Sequence, residues 1–189
     1  LGARSTWALP RLSAQLGLVE SDNDPCVIAA DAAYRGCENQ LYRVEIHQGG
    51  PAGAAGATGG ASFKWSRENG SVIFPINGAV VATTLADGSA QLGVSLSRSG
   101  RDARLGLAVN DWVELVDDDY TLAQRAYPLL QVIAVDVPDC TVTLAVPKNI
   151  TSYQPSSDPR KHPLLRRWDQ TAALNGQGAV AVAEGASIT

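Results

Sequence analysis

Apolar and polar residues alternate along several short segments of the chain, a pattern typical of β-strands that bury one face. The clearest segment is residues 41–47. Its apolar positions are Tyr42, Val44 and Ile46, and its polar positions are Arg43, Glu45 and His47. We therefore predict a half-buried strand here.

A second alternating segment places Phe63 and Trp65 on one face of a strand, and we expect both side chains in the core. The dipeptide Asn69-Gly70 follows, which is the strongest short-range signal for a tight hairpin turn. It predicts a return strand over residues 71–76. Pro75 lacks an N–H donor, which favours an edge position or the end of that strand.

Further strand-like segments follow, separated by turn residues. They span residues 79–85, 91–97, 104–109, 111–116, 129–137, 140–146, 179–183 and 186–188. Residues 117–127 have room for one helical turn or a loop, and residues 147–163 are a Pro-rich extended connection. About ten short strands at intervals of roughly ten residues predict an all-β fold, an antiparallel sandwich and/or a small barrel, with little helix.

The same pattern suggests a division of the chain. Residues 1–36 form an irregular N-terminal segment, and residues 37–104 a sandwich-like unit that includes a flexible Gly/Ala loop at 49–61. Residues 105–147 form a barrel-like unit, and residues 148–189 a Pro-rich connection with terminal strands. A single compact fragment is the alternative.

Composition narrows the class of protein. The chain has 189 residues, 45% hydrophobic residues and a net charge of −4, so it is too apolar for disorder and too acidic to attract nucleic acid. No apolar run reaches the ~20 residues of a membrane helix, so no membrane span is predicted. The chain has no Met and runs from Leu1 to Thr189, which ends an apolar stretch. We expect a fragment of a larger protein.

The three cysteines fit neither a zinc ribbon nor a CxxC pair. One interpretation is a Cys26–Cys37 disulfide that closes a short loop, which requires an exported protein. In the alternative, they and Cys140 are buried free thiols.

Two groups of residues are candidate sites. Arg43, Glu45 and His47 lie near Lys64 if the Gly/Ala loop closes a hairpin, which makes them a candidate ligand-binding or catalytic site. The alternative is that they are ordinary cross-strand charge pairs, which need no function to explain them.

The run Asp117, Asp118 and Asp119 is a candidate calcium site because carboxylates suit hard cations. A solvated acidic loop is the alternative, and no other cofactor is expected. The segment 166–169 favours an Arg–Asp pair beside a buried Trp, or an anion site.

Motifs for catalysis are absent from the sequence. It contains no G-x-S-x-G elbow and no phosphate-binding glycine loop, and neither His47 nor His162 has a neighbouring nucleophile in the sequence. We predict that the protein is not an enzyme.

Several blocks resemble an uncharacterised family of large bacterial proteins. The matching blocks are AYRGCENQLYRVEIH at residues 33–47, FKWSRENGSV at 63–72, DWVEL at 111–115 and RRWD at 166–169. The resemblance implies a parent chain longer at both ends, encoded near genes of phage-tail-like contractile injection systems. It brings no catalytic residues.

We therefore predict a non-enzymatic structural or protein-interaction module, a fragment of a larger bacterial protein associated with a phage-tail-like particle. Its partners would be other protein subunits or the remaining domains of its parent chain, at a bacterial particle or outside the cell rather than in cytosolic metabolism. One alternative is a carbohydrate-binding module, with or without calcium. Another is a hydrolase completed by segments outside these residues.

Overall fold

A computed structural model of the chain describes residues 41–52, 60–123, 125–171 and 178–183. All of them belong to the compact unit Asn39–Thr189. The predicted N-terminal segment 1–36, Cys26 and Cys37, most of the Gly/Ala loop and the strand at 186–188 lie outside the described residues.

Ten strands and one short helix make up the described fold. The strands are β1 (Arg43–Gln48), β2 (Ser62–Ser66), β3 (Ile73–Pro75), β4 (Val81–Thr84), β5 (Ala90–Ser95), β6 (Trp112–Val116), β7 (Leu130–Asp136), β8 (Thr141–Val146), β9 (Leu164–Trp168) and β10 (Val180–Ala181). The helix α1 spans Asp118–Ala123, and a 3₁₀ helix spans Pro159–Lys161. All ladders are antiparallel, so the all-β prediction with little helix is confirmed.

The larger sheet has seven strands in the order β3-β9-β6-β7-β8-β5-β4. A single bridge between Ile76 and Leu96 joins the segments after β3 and β5, and the described strands form no closed barrel. Alternate residues of β8 are buried: Val142, Leu144 and Val146. They belong to the main hydrophobic core, which also takes side chains from β3, β5, β6, β7 and β9.

The smaller sheet has three strands in the order β1-β2-β10. Its central strand, β2, is buried along its whole length. Phe63, Trp65 and Val180 form a separate hydrophobic cluster, which confirms that Phe63 and Trp65 are core residues. The Asp169 N–H donates to the Trp65 carbonyl at 2.9 Å, so this sheet is held against the end of β9.

Strand β1 forms as predicted and pairs with β2 across the Gly/Ala loop, but its faces are reversed. A half-buried strand ordinarily turns its apolar side inward. Here Val44 and Ile46 are 36% and 67% exposed, whereas His47 is buried and Glu45 is half-buried. The polar side faces the interior because Lys64 and Glu114 offer it charged partners there.

The predicted hairpin at Asn69-Gly70 is wrong. Both residues adopt a positive φ, 55° and 66°, and the Ser71 N–H donates to the Glu68 carbonyl, so the turn itself exists. The strands on either side do not pair with each other. Strand β2 belongs to the smaller sheet, while β3 pairs with β9 in the larger one. The turn therefore carries the chain from one sheet to the other.

Some of the other local predictions are confirmed, and one is wrong. The turn residues Pro138-Asp139 predict a hairpin between residues 129–137 and 140–146, and the pairing of β7 with β8 confirms it. The helical turn after Asp117 is also confirmed, and Pro75 ends edge strand β3. The strand predicted over residues 104–109 is wrong, because this stretch is a series of turns held by the Asp102 carboxylate.

Cys140 lies in the turn between β7 and β8 as a free, partly buried thiol. The larger sheet contains strands from before and after residue 104, the predicted boundary between the sandwich-like and the barrel-like unit. The division of the chain into these units stays a prediction.

Candidate functional site

The reversed face of β1 contributes to a buried polar cluster between the two sheets. We call it the Glu114 cluster. Its members are Glu45, His47, Lys64, Glu114, Tyr120 and Trp168. They come from β1, β2, β6, α1 and β9, so the fold assembles the cluster from distant parts of the chain.

Glu114 accepts three hydrogen bonds at the centre of the cluster and is only 3% exposed. Oε1 accepts from Lys64 Nζ and from the Tyr120 hydroxyl, both at 2.5 Å, and Oε2 accepts from Trp168 Nε1 at 3.0 Å. Burial alone would raise the pKa of Glu114. The Lys64 charge and the hydrogen bonds outweigh burial, so its pKa lies below the usual value and the carboxyl stays ionised.

Lys64 has two acidic neighbours and one aromatic neighbour. Its Nζ lies 3.5 Å from Glu45 Oε2, in addition to its contact with Glu114, and 4.5 Å from the centre of a Trp168 ring. Glu45 is directly opposite Lys64 in the β1–β2 register and also contacts Arg43 at the exposed margin. The predicted group of Arg43, Glu45 and Lys64 is therefore brought together.

His47 lies at a β-bulge in β1 and is 6% exposed. Within the described part of the chain, neither ring nitrogen makes a hydrogen bond of normal geometry, although the Tyr127 backbone lies near enough to the ring to act to raise its pKa. Burial first, and then the nearby Lys64 charge, lower the pKa of His47 to about 4. The ring is therefore neutral at pH 7. A buried polar group without a normal hydrogen bond lowers the stability of the folded chain. Phe or Leu at this position would not carry that cost.

The sequence prediction missed Glu114 and Tyr120 as partners of the β1–β2 residues. Glu114 does carry a signal, because it is the one charged residue in β6, where its neighbours Val113 and Leu115 are buried. A carboxylate inside such a strand requires a buried cation. Tyr120 gives no comparable signal, since its position depends on how α1 packs.

The acidic run Asp117–Asp119 sends its three carboxylates to different partners. Asp117 caps α1 by accepting from the Tyr120 N–H and also accepts from the Tyr153 hydroxyl and the Ser156 N–H. Although partial burial acts to raise the pKa of Asp117, these hydrogen bonds hold it below the usual value.

The other two carboxylates of the run contact residues at the C-terminal end of the 3₁₀ helix Pro159–Lys161. Asp118 contacts His162 at 2.9 Å, and Asp119 contacts Lys161 at 2.5 Å. Among the described residues, no group of three or more His, Cys, Asp or Glu side chains is placed to hold a metal ion.

The segment Arg166–Asp169 combines structural contacts with a buried indole. Trp168 is 1% exposed, and Arg167 lies 3.4 Å from Asp169. Arg167 also donates to the carbonyls of Gly106 and Arg104. Of the two predictions for this segment, the Arg–Asp pair beside a buried Trp is confirmed.

The geometry limits what the Glu114 cluster does chemically. The Glu114 carboxylate already accepts from three donors, and the Lys64 ammonium group lies beside two carboxylates, those of Glu114 and Glu45. Of the residues that the structure describes, the buried atoms without a hydrogen-bond partner include both ring nitrogens of His47, Ser62 Oγ on the same face of β2 as Lys64, and Arg166 Nε opposite Glu114. The cluster is therefore built to join two sheets through charge-assisted hydrogen bonds.

Together these features define an all-β protein of two antiparallel sheets with a buried ionic junction between them. The chain matches the model of a family of unknown function, DUF6519, over residues 1–189, and it belongs to that family. This agrees with the predicted membership of an uncharacterised family. No curated protein and no solved structure matches the chain. Within the described ranges, no helix is both long and apolar enough to cross a membrane.

Proposed function

We propose that this chain is a non-enzymatic structural module that associates with other protein subunits through β1, the outer strand of the smaller sheet among the described strands. We further propose that the partner at this edge is a second copy of the chain. The observation that carries the proposal is the reversed face of β1. An edge strand with exposed apolar side chains is a template for strand pairing unless charges or proline protect it.

Strand β1 meets this description before its β-bulge, over residues 43–46. It is the outer strand of the order β1-β2-β10, and its outward row includes Val44 and the 67% exposed Ile46. Leu41, just before the strand, is 66% exposed. Large side chains gathered on an edge strand mark an interaction surface more often than scattered ones do.

The charges of β1 favour a second copy over an unrelated strand. In an antiparallel pair centred on Val44, each Val44 faces its counterpart, and Arg43 of each copy faces Glu45 of the other. Opposite charges on facing positions stabilise such a pair. The β-bulge after Ile46 ends the regular edge, which limits the pairing to a short, specific register.

Sedimentation velocity over a concentration series tests this surface. We expect the wild-type chain to dimerise and Val44→Lys to remain monomeric at the same concentrations, because the substitution sets two ammonium groups against each other at the symmetry axis. The matched control is Val81→Lys, which changes a 62% exposed valine on β4, the outer strand of the other sheet, and should dimerise normally. A wild-type chain that stays monomeric, or equal effects of both substitutions, would refute the proposal.

The non-enzymatic part of the proposal has its own test. Glu45 and His47 are the titratable groups of the cluster nearest the margin of the smaller sheet, and Glu45 is half-buried. Turnover against a broad panel of hydrolase substrates that disappears in both Glu45→Gln and His47→Ala, with folding retained, would show that the chain is an enzyme.

The wider setting of the module rests on the family resemblance described above. We place it in a larger bacterial protein that associates with a phage-tail-like particle. Co-sedimentation of the tagged parent protein with intact particles, and its loss with Val44→Lys but not Val81→Lys, would support this setting. Carbohydrate and calcium binding stay predictions, which a glycan array and a calcium-dependent shift in melting temperature test.

A further inference from the structure

A second surface lies on the larger sheet, where edge strand β3 separates from the segment after β5. Up to this point the two segments are joined, because the Asn77 N–H donates to the Ser95 carbonyl and the Ser97 N–H to the Pro75 carbonyl. Beyond Ser97 the chain turns away. A cleft of about 310 Å³ opens there, between β3 and the loop of residues 98–106.

The backbone of Ile73 faces this cleft. On the other side of β3, the Val72 carbonyl accepts from the Arg167 N–H and the Ile76 N–H donates to the Pro163 carbonyl. Hydrogen-bonding directions alternate along an antiparallel strand, so the N–H and C=O of Ile73 point away from β9 and toward the cleft. Ile73 therefore offers one donor and one acceptor at an open sheet edge.

Two arginines form the opposite wall. Arg98 and Arg101 line the cleft, are exposed, and make no hydrogen bond or ion pair within the part of the chain that the structure describes. Val72, Phe74 and Leu105 also line the cleft, beside the arginines. A concave site with an apolar floor and a few polar groups at its walls is the usual form of a ligand site, and its volume is at the lower end of that range.

The loop that carries the arginines is anchored in place. The Asp102 carboxylate accepts from two backbone N–H groups of the loop, and Arg167 donates to the Gly106 carbonyl at 2.6 Å. Gly100 packs so closely on Gly106 that a Cβ at Gly100 would lie 2.7 Å from the Gly106 Cα. A wall fixed in this way loses little conformational entropy when a ligand binds.

We propose that this cleft binds an extended acidic peptide segment of a partner protein. The peptide backbone would pair with Ile73, adding a short strand to the β3 edge, and its carboxylates would pair with Arg98 and Arg101. Strand addition supplies main-chain hydrogen bonds, while side-chain contacts supply selectivity. Guanidinium groups suit carboxylates because they donate two parallel hydrogen bonds. Two unpaired cations in one cleft are notable in a chain whose net charge is −4.

Fluorescence anisotropy with labelled synthetic peptides tests the cleft. The probe is a capped hexapeptide of alternating Val and Glu, and its control has Gln in place of Glu. We expect the Glu peptide to bind and the Gln peptide to bind about tenfold more weakly, since two charged contacts are lost. Raising the salt concentration should weaken only the Glu peptide.

Variants of the protein separate the two kinds of contact. Arg98→Gln with Arg101→Gln should weaken the Glu peptide by about tenfold and bring it to the level of the Gln peptide. Ile73→Pro removes the N–H that faces the cleft but no bond to β9, and it should weaken both peptides. The control, Lys148→Gln, removes one exposed positive charge outside the cleft and should bind as the wild type does. Melting curves confirm that each variant folds.

Three results would overturn the proposal. The first is no binding of the Glu peptide at the highest soluble concentration. The second is binding that Arg98→Gln with Arg101→Gln leaves unchanged. The third is equal binding of labelled glutarate, insensitive to Ile73→Pro, which would assign the cleft to small carboxylates instead. Because β1 is not involved, Val44→Lys should bind the peptide normally, so failure here and failure of the proposed dimer are distinguishable.

Discussion

Both sheets of this protein bury apolar side chains, but β1 of the smaller sheet turns its polar side inward. The seven-stranded sheet buries aliphatic rows such as Leu92 and Val94 of β5, in the manner expected of alternating strands. The three-stranded sheet buries Lys64 and His47 on the side that faces Glu114 and leaves Val44 and Ile46 outside. Alternation therefore reports that a strand exists, but a charged partner elsewhere in the fold decides which side is buried.

The energetic basis of the two sheets differs accordingly. The larger sheet is stabilised mainly by removing apolar surface from water, which tolerates changes of similar shape and volume. The smaller sheet is attached through an ion pair whose charges satisfy each other, so losing one partner leaves the other buried and unpaired. The predictions below test this contrast in order of expected size.

The largest effect should come from removing the central carboxylate. Glu114→Leu leaves Lys64 buried beside a single, more distant carboxylate, and we expect a loss of about 4 kcal/mol in the free energy of unfolding, measured by urea titration. Lys64→Met combined with Glu114→Leu should lose less than Glu114→Leu alone. A stability loss in the double variant equal to the sum of the losses in Glu114→Leu and Lys64→Met would show that the two charges are not coupled. The proposed energetic difference between the sheets would then be wrong.

A core truncation in the larger sheet should rank next. Leu144 is fully buried, and Leu144→Ala should cost about 3 kcal/mol through lost burial and the cavity that remains. Val180→Ala, in the small cluster of the three-stranded sheet, should cost less because it removes fewer atoms from a smaller core. Chemical denaturation of both variants gives the comparison, and a larger loss for Val180→Ala would reverse it.

The stability of the smaller sheet should depend on pH through His47. Its pKa in the folded state is about 4, below the usual histidine value of 6.5, so the unfolded chain binds the proton more tightly. This stabilisation of the folded state is complete above pH 6.5 and is lost as pH falls toward 4. We expect a loss of about 2 kcal/mol between pH 7 and pH 5 in the wild type.

A variant without the titrating ring isolates this effect. His47→Phe should remove this part of the pH dependence, whereas His162→Phe, at an exposed position, should retain it. Urea titrations at a series of pH values provide the measurement. An unchanged slope in His47→Phe would assign the pH dependence to other groups.

The smallest effect should come from one hydroxyl at the edge of the cluster. Tyr120→Phe removes one of the three donors to Glu114, and we expect a loss of about 1 kcal/mol because Lys64 and Trp168 remain. Tyr127→Phe is the matched control, since the Tyr127 hydroxyl makes no hydrogen bond in the described ranges and its ring packs beside Tyr120. Equal losses in both would mean that ring packing, not the hydrogen bond to Glu114, is affected.

Local sequence signals predicted much of this fold. Alternation identified β1, β2 and β8, and Pro138-Asp139 correctly marked the turn of the β7–β8 hairpin. These features depend on residues close together in the chain, whose contacts a short window contains. The turn at Asn69-Gly70 also forms. However, this dipeptide determines only the backbone conformation of two residues, and it does not determine which strand pairs with β3.

The candidate site was only half predictable for a related reason. Glu45 and Lys64 face each other across one hairpin, so the strand pattern alone brings them together. Their partner Glu114 belongs to β6, which enters the larger sheet between β9 and β7. A sheet whose neighbours are distant in sequence assembles sites that no local pattern contains. Whether these residues bind a ligand stays a prediction.

The pairing of β3 with β9 also has a consequence for folding kinetics. Ile73 pairs with Arg166, and β2 pairs with β10 at Val180, so β3 and β2 gain these partner strands only from the C-terminal part of the chain. Pairings between such distant segments require closure of long loops and slow the folding reaction. During synthesis, the apolar edges of β2 and β3 would stay uncovered until late, and the nascent chain would be most prone to aggregation in that interval.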